Sequence, residues 1–260
     1  MRDRVPNLAR ARVLISNDDG VDAPGIKALE RAMKRVAGEV WVVAPETEQS
    51  AASHSLTLRQ PLRIHKRGAR RFAVTGTPTD AVLLGVQHVM KDARPDIVLS
   101  GVNRGGNLGE DVTYSGTVAA AMEGTLLGIP SVAFSLVTPD GAKSHWSTAE
   151  HWVEQVMKRL AGVAFQPGVL INVNIPDVPP AAVTGIEVTR QGRRKIGCEI
   201  QEGRDPKGKP YYWIGAQRDE DRSRPGTDLE AVGRGAVSLT PLSMELGHRG
   251  MMKTLKEALG

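Results

Sequence analysis

Two adjacent acidic residues, Asp18 and Asp19, follow the short apolar stretch "RVLIS" (12–16) after a single asparagine, Asn17. Neighbouring carboxylates repel each other, so the pair costs free energy unless a cation neutralises it. Carboxylate oxygens are the ligands that Mg²⁺, Mn²⁺ and Ca²⁺ prefer in proteins. The pair therefore indicates a divalent cation, and the alternative is a solvated Asp-Asp-Gly turn.

Two further loops carry oxygen-bearing side chains of the same chemical kind. Ser50 lies in the loop after residues 39–44, and Asn103 lies in the loop after residues 96–100. Hydroxyl and amide oxygens are hard ligands, whereas no Cys pair or His-x-x-x-His spacing offers a softer zinc site. The same loops also carry Glu46, Glu48, His54, Arg104, Asn107 and Asp111, and residue chemistry alone leaves open which of these side chains complete the site.

A glycine-rich loop, residues 101–114, leads into a helix that we expect from about 115 to 128. Gly105 is one of its glycines, which permit close approach of the backbone to a ligand. The residues that open the helix are Ser115, Gly116 and Thr117. Free N–H groups and the helix dipole favour an anion at that end. A metal beside a phosphate-binding turn is the layout of metal-assisted phosphate ester hydrolysis.

Each of these features also has a purely structural interpretation. A glycine-rich loop can be only a tight connection, Asn103 can satisfy backbone groups, and Ser115 can be no more than a helix N-cap. We expect His54 to be a solvated loop residue, and the basic stretch "RQGRRK" (190–195) to be a solvated turn rather than a substrate clamp. The combination favours function, because three loops converge on one predicted edge of a sheet.

The elements that must position these residues alternate along the chain. Apolar strands are predicted at 12–16, 39–44, 96–100, 131–135 and 169–174, and amphipathic helices at 24–38, 77–92, 115–128 and 147–161. This alternation predicts an α/β fold with a doubly wound, mostly parallel sheet, whose ligands bind beyond the carboxyl ends of the strands. Residues 56–76 predict short antiparallel strands. The stretches "GIEVTRQGRRKIG" and "KPYYWIGA" predict a C-terminal β-hairpin arm, and "MELGHRGMMKTLKEALG" predicts a terminal helix.

The bulk composition limits the class of protein. The chain has 260 residues, 40% of them hydrophobic, and a net charge of +5, which suits an anionic substrate but is weak support for nucleic-acid binding. The single cysteine, Cys198, cannot form an intramolecular disulfide, which favours a reducing compartment. Since no apolar run reaches the ~18 residues of a membrane span, we predict a soluble cytoplasmic protein with no membrane partner.

Five stretches of the chain resemble the SurE (survival protein E) nucleotidases. They are "SNDDGVDAPGI", "VVAPETEQSAASHSLT", "TGTPTDAV", "DIVLSGVNRGGNLGEDVTYSGTVAAAMEG" and "LINVNIP", in the family's order and spacing. The resemblance implies a Rossmann-like three-layer α/β/α core and a C-terminal arm used in dimer or tetramer exchange. We therefore expect an N-terminal extension (1–11), a catalytic core (12–185) and an arm with a terminal helix (186–260) that serves a homodimer or homotetramer.

The resemblance also implies an activity and a set of site residues. It implies hydrolysis of nucleoside 5′- and 3′-monophosphates, with short polyphosphate as a side substrate, and one divalent metal ion, Mg²⁺ or Mn²⁺. The metal ligands carry over to Asp18, Asp19, Ser50 and Asn103, with the two aspartates as the catalytic residues. The phosphate contacts carry over to Asn17, Gly105, Ser115, Gly116 and Thr117. The chain departs from the family at Ser53, where a Gly is frequent, and at Gly106, where a Pro is common.

Two mechanisms and two rival functions stay open at this point. Either a water attacks phosphorus, or an aspartate does so and forms an aspartyl-phosphate. In both cases we expect Asn17 and the backbone N–H groups of the Ser115 turn to stabilise charge on the phosphoryl oxygens. The first rival is a non-catalytic nucleotide or phosphate sensor. The second is a nucleic-acid-binding module using residues 190–195, which we rank last because the chain is only 4% aromatic and offers few stacking platforms.

Overall fold

The computed structural model describes residues 4, 7–197, 199–215 and 218–260. Cys198 and part of the N-terminal extension lie outside the described residues, so the expectations for them stay predictions. The strands are β1 (Arg12–Ser16), β2 (Glu39–Pro45), β3 (Ile64–Gly68), β4 (Arg71–Val74), β5 (Ile97–Arg104), β6 (Ser131–Val137), β7 (Val169–Pro176), β8 (Ile186–Val188), β9 (Arg193–Ile196), β10 (Ile200–Arg204), β11 (Pro210–Ile214), β12 (Arg218–Asp221) and β13 (Val237–Ser243). The helices are α1 (Pro24–Lys34), α2 (Pro78–Leu84), α3 (Gly116–Leu126), α4 (Trp146–Leu160), α5 (Asp228–Gly233) and α6 (Arg249–Leu259).

Nine of these strands form one sheet in the order β3-β4-β2-β1-β5-β6-β7-β13-β8. Six consecutive strands of this order, β4-β2-β1-β5-β6-β7, run parallel to one another. Strand β3 pairs antiparallel with β4 at one end of this set, and β13 pairs antiparallel with β7 at the other end. The chain runs outward from β1 to β2 and β4, then crosses to the other side of β1 to form β5. The β1–β5 pair is therefore the switch point of the sheet, where open α/β sheets bind their ligands.

Helices cover both faces of the sheet. Ile26 of α1 and Val153 of α4 pack with Ile15 of β1 in one buried cluster, while Val82 of α2 and Ala120 of α3 lie in a second cluster with other strand residues. The continuous apolar run of β1 is explained by this arrangement, because a central parallel strand is buried on both faces. The predicted Rossmann-like three-layer α/β/α fold is confirmed.

The observed bounds refine the predicted elements. Thr77, the first residue of the predicted helix, caps α2: its hydroxyl accepts from the N–H of Asp80, and the Asp80 carboxylate accepts from the N–H of Thr77. The regular helix ends at Leu84 and continues as a π-helical turn over Gly85–Val89. Strand β5 is longer than expected, so Asn103 lies at the end of the strand itself rather than in the loop beyond it.

The C-terminal arm is a long hairpin that differs from the expected one in extent. Strands β10 and β11 pair around a turn, and β9 and β12 pair nearer the core. Residues 186–188, expected in the arm, form β8 of the central sheet instead, next to β13. The expected boundary at residue 185/186 therefore does not coincide with the edge of the sheet. Sequence alternation cannot distinguish these strands, because β8 is as short as the arm strands and none of β8, β10 and β11 has a buried residue.

The terminal helix α6 forms as predicted and has no buried residue within the described chain. Its apolar residues, among them Met251, Leu255 and Leu259, are exposed. None of the helices in the described part of the chain combines the length and the apolar character that crossing a membrane requires.

Candidate active site

A cavity of about 470 Å³ opens beyond the carboxyl ends of β1 and β5. Six of the predicted site residues line it: Asp18, Asp19, Ser50, Asn103, Gly105 and Ser115. They come from four separate segments of the chain, which the parallel sheet brings to one edge as expected. The predicted residues outside the lining are Asn17, Gly116 and Thr117.

Gly116 and Thr117 contact Asp18 without lining the cavity themselves, and they fix its position. The Thr117 hydroxyl donates to Oδ1 of Asp18, and the Thr117 N–H also bonds to this carboxylate. A Cβ atom at Gly116 would lie 2.7 Å from Cβ of Asp18, closer than real Cβ contacts come, so only glycine fits there. The first turn of α3 therefore binds a carboxylate of the protein itself, at the helix end that favours negative charge.

The two carboxylates lie in an environment that disfavours their charges. Burial raises the pKa of Asp18 above its usual range, against the hydrogen bonds from Thr117. Burial, followed by the charges of Asp18 and Glu48, raises the pKa of Asp19 to about 7. A divalent cation between the two carboxylates would offset both causes, because an opposite charge favours the ionised form.

The neighbouring amide and hydroxyl leave oxygen lone pairs for a ligand. Asn103 donates Nδ2 to the carbonyl of Gly105 at 2.9 Å, which orients its amide and keeps Oδ1 as its acceptor atom. Ser50 donates Oγ to Glu48 at 2.6 Å, so its lone pairs remain. The described ranges contain no cluster of three or more His, Cys, Asp or Glu side chains that could hold a metal ion by themselves. A metal in this cavity would therefore rely on two carboxylates together with the amide and the hydroxyl.

Asn17 and Ser115 take part in local structure in ways that bear on their predicted phosphate contacts. Asn17 donates Nδ2 to the carbonyl of Gly20 at 2.9 Å, and its buried Oδ1 has no hydrogen-bond partner within the described chain. Oγ of Ser115 accepts from the N–H of Val118 at 3.0 Å, which confirms the N-cap interpretation. Ser115 nevertheless lines the cavity, so capping and ligand contact are compatible.

The glycine-rich loop is fixed by polar residues that sequence reasoning missed. The N–H of Asn107 donates to Oδ1 of Asn174, and its carbonyl accepts from the side-chain amides of Asn172 and Asn174. Nδ2 of Asn107 reaches the hydroxyl of Ser135 at 2.8 Å. The signal was present in "LINVNIP", where two asparagines interrupt an otherwise apolar buried strand. Buried polar side chains need partners, and here the loop supplies them.

The loop that carries Ser50 is fixed against α3 and α2. Nε2 of His54 lies 3.0 Å from Oε2 of Glu123, a side chain that is 9% exposed. Farther along, the Asp80 carboxylate accepts from the N–H and the hydroxyl of Thr57. The expectation of a solvated His54 was therefore wrong, because a buried carboxylate on α3 recruits the imidazole. A sequence pattern cannot reveal a partner 69 residues away.

We expect His54→Ala to lower the free energy of unfolding by about 1–3 kcal/mol, because the buried carboxylate of Glu123 loses its partner. It should also lower kcat/KM about 10-fold, as the loop carrying Ser50 loosens. Chemical denaturation and steady-state kinetics measure both effects. The matched control is His65→Ala, whose partner Glu46 is much more exposed. Equal stability losses in the two variants would contradict the anchoring role of His54.

Arg194 of β9 and Asp228 of α5 bind the glycine-rich loop through an ion pair and hydrogen bonds. Nε of Arg194 lies 3.1 Å from the carboxylate of Asp111, and both side chains are at most 10% exposed. The Asp228 carboxylate accepts from the N–H groups of Gly109 and Gly192, although burial raises its pKa. The expected solvated turn at 190–195 was therefore wrong for Arg194. It is a buried ion-pair partner of a cavity residue.

The fold and the cavity define the class: a Rossmann-like α/β/α protein with an acidic, oxygen-lined ligand site at the switch point of its sheet. The family model described as Survival protein SurE matches residues 13–197. A protein of Paramagnetospirillum magneticum named 5′-nucleotidase SurE is 64% identical over 247 residues, covering 95% of each chain. One of the same name from Rhodospirillum rubrum is 56% identical, covering 92% of this chain and 93% of its own length.

A solved structure of a SurE protein agrees with these sequence matches. The crystal structure of the SurE protein from Aquifex aeolicus superimposes with a TM-score of 0.85 at 41% identity, covering 96% of this chain and 100% of that one. The chain belongs to the SurE family. The family predicted from the sequence motifs is thereby confirmed.

Proposed function

We propose that this SurE-family enzyme hydrolyses nucleoside 5′-monophosphates, and also 3′-monophosphates, to nucleoside and phosphate in the 470 Å³ cavity. Short polyphosphate is proposed as a further substrate. The observation that carries the proposal is the pair Asp18 and Asp19, whose pKa values are both raised, at the switch point of the sheet. A cavity of this kind suits a ligand that brings a cation to the carboxylates and an anion to the loop.

The residues of the cavity fit one divalent cation, Mg²⁺ or Mn²⁺. We assign it to Asp18, Asp19, Ser50 and Asn103, which offer two charges and only oxygen atoms. When bound, such an ion polarises a phosphoryl oxygen and lowers the pKa of water. Arg104 also lines the cavity and adds a positive charge that draws an anionic substrate.

The protein groups around the phosphate have separate tasks in this proposal. The N–H of Gly105 already donates to the carbonyl of Leu136, so Gly105 contributes room rather than a hydrogen bond, with a φ of +107°. We assign hydrogen bonding of the phosphoryl oxygens first to the Ser115 hydroxyl, which lines the cavity, and then to the N–H of Gly116, the next residue of the same turn, as in an oxyanion hole. Thr117 serves indirectly, because it orients Asp18. Asp18 and Asp19 orient the attacking group, or one of them is itself the nucleophile.

Phosphate release from AMP with Mn²⁺ or Mg²⁺ tests the proposal. We expect turnover with the metal, loss of turnover in excess chelator, and recovery when the metal is restored, because the carboxylate pair is repulsive without a cation. AMP that binds tightly and is never hydrolysed would instead favour the nucleotide sensor. Inversion of configuration at a chiral phosphorus favours direct attack by water, whereas retention, or a phosphoenzyme trapped by acid, favours an aspartyl-phosphate.

We further propose that the arm and α6 pack against other copies of the chain in a cytoplasmic homodimer or homotetramer. Apolar side chains on both elements support this, since Trp213 on β11 and Leu259 on α6 are 67% and 85% exposed. Large exposed apolar patches on a chain commonly mark interfaces.

A further inference from the structure

A second cavity, of about 550 Å³, lies beside the first, and the two share Gly105 and Gly106 as lining. We propose that this second cavity receives the nucleoside part of the substrate, and that Asp177 accepts a hydrogen bond from it. The proposal rests on the proposed function, which sets a phosphoryl group in the first cavity. A substrate whose phosphate lies on one side of the loop can then place its nucleoside on the other side.

The glycine-rich loop separates the two cavities at Gly105 and Gly106. A Cβ atom at Gly106 would already meet Leu108 and Val137, both in the second cavity, at 3.1 Å. The two volumes are thus separated by glycine backbone without side chains. Gly106 also keeps a backbone N–H and greater conformational freedom at the division between the two cavities, which a residue such as proline would remove.

The second cavity has the size and lining that a nucleoside needs. Its volume falls within the range of about 300–1,000 Å³ typical of small-molecule sites. Leu108, Val137 and Leu229 supply apolar surface for the faces of a base, and charged residues stand at other points of the wall. A wall that combines apolar surface with hydrogen-bonding and charged groups suits a nucleoside, which has flat apolar base faces and many polar edges.

Asp177 supplies the specific polar group. It follows β7 and lines the second cavity, and its side chain is only 1% exposed. Its Oδ1 accepts from the N–H of His145 at 2.9 Å and lies 2.8 Å from Nδ1 of the same residue. Its Oδ2 is buried and has no hydrogen-bond partner among the described residues. A buried acceptor without a donor is costly, so a ligand that brings a donor gains free energy by binding.

The chemistry of Oδ2 specifies the group that it binds. A carboxylate oxygen accepts and does not donate, so the partner must be a hydroxyl or an amino group. A nucleoside offers both kinds, in the ribose hydroxyls and in the exocyclic amino groups of the bases. A small phosphomonoester such as p-nitrophenyl phosphate offers neither, so the two substrate types should respond differently to changes at Asp177.

The main test is Asp177→Asn, which preserves the shape and the acceptor facing His145 but turns Oδ2 into a donor. We expect kcat/KM for AMP to fall about 10- to 100-fold while kcat/KM for p-nitrophenyl phosphate stays within about twofold. The matched control is Asp92→Asn, an exposed residue outside both cavities. If the effect persists on ribose 5-phosphate, the donor is a ribose hydroxyl. If the effect disappears there, the donor is a base amino group.

A second variant fills the cavity without touching Asp177. Val232→Trp places a large side chain in the wall formed by α5, with Val188→Trp as the control at an exposed position of β8. We expect Val232→Trp to reduce turnover of AMP selectively, as Asp177→Asn does. If both variants hydrolyse AMP as well as the wild type, or lose both substrates in equal proportion, the inference is wrong while the proposed function stands.

Adenosine binding separates this inference from the proposed function. Adenosine has no phosphate, so calorimetry with it tests the second cavity even if the protein released no phosphate from any substrate. We expect the wild type and the Val188→Trp control to bind adenosine, and Val232→Trp to bind it at least about 10-fold more weakly. Equal binding by all three proteins would overturn the inference.

Discussion

Asp19→Asn is expected to lower kcat for AMP hydrolysis by about 10³-fold or more, because it removes a charge that would hold the cation and orient the attacking group. The substitution preserves the size of the side chain. It also removes a carboxyl whose pKa is raised to about 7, so the folded protein should lose no stability at neutral pH. Kinetics at saturating Mn²⁺ measures kcat, titration with Mn²⁺ by calorimetry measures the affinity for the cation, and thermal unfolding measures stability.

The control for this result lies three residues along the chain. Asp22→Asn makes the same chemical change at an exposed residue that precedes α1 without lining the cavity. It should leave kcat and the affinity for Mn²⁺ unchanged. If Asp19→Asn turned over AMP at the wild-type rate, the assignment of the carboxylate pair as metal ligands would be wrong.

Gly116→Ala is expected to reduce kcat about 100-fold, because displacement of a catalytic group by an ångström costs on that order. The new methyl group would lie 2.7 Å from Cβ of Asp18 and 3.0 Å from its Oδ2. Either Asp18 or the first turn of α3 must move. Helix propensity alone would make Gly116→Ala more stable than the wild type, since alanine is favoured over glycine by about 1 kcal/mol inside a helix.

These two effects can be separated by measuring kcat and the unfolding temperature together. A loss of kcat without a large change in unfolding temperature would show that the contact displaces Asp18 rather than unfolding the helix. The matched control is Gly247→Ala, where a Cβ would meet only Oε1 of Glu245, at 3.8 Å. Wild-type turnover by Gly116→Ala would mean that the position of Asp18 tolerates the added methyl group.

The sequence predicted most of what depends on local pattern. Strand β1, the helix N-cap at Ser115, and the meeting of Asp18 with Asn103 at one edge follow from periodicity, a capping residue and the direction of parallel strands. The carboxylate pair was found from residue chemistry alone. The proposed set of four metal ligands and the proposed nucleotide substrate came from the resemblance to a family.

Partnerships between distant residues could not be predicted in the same way. The Asp228 carboxylate accepts a hydrogen bond from the N–H of Gly109, 119 residues away in the sequence. Neither residue belongs to a local motif that predicts the other. The charge of Arg194 made exposure the natural expectation, yet its partner Asp111 lets it be buried. Such pairs are fixed by tertiary packing, which overrides the average preference of each residue type.

The order of strands at the switch point has a consequence for how the protein matures. Residues of β1 are made first but pair with β5 only after about eighty further residues exist, so the cavity is a late product of synthesis. A ligand that contacts Asp18 and Asn103 together can bind only the completed fold. Its binding free energy is then added to global stability, about 2.7 kcal/mol at a hundredfold excess over Kd. Substrate in the cell would act as a folding ligand, drawing newly made chains toward the native state.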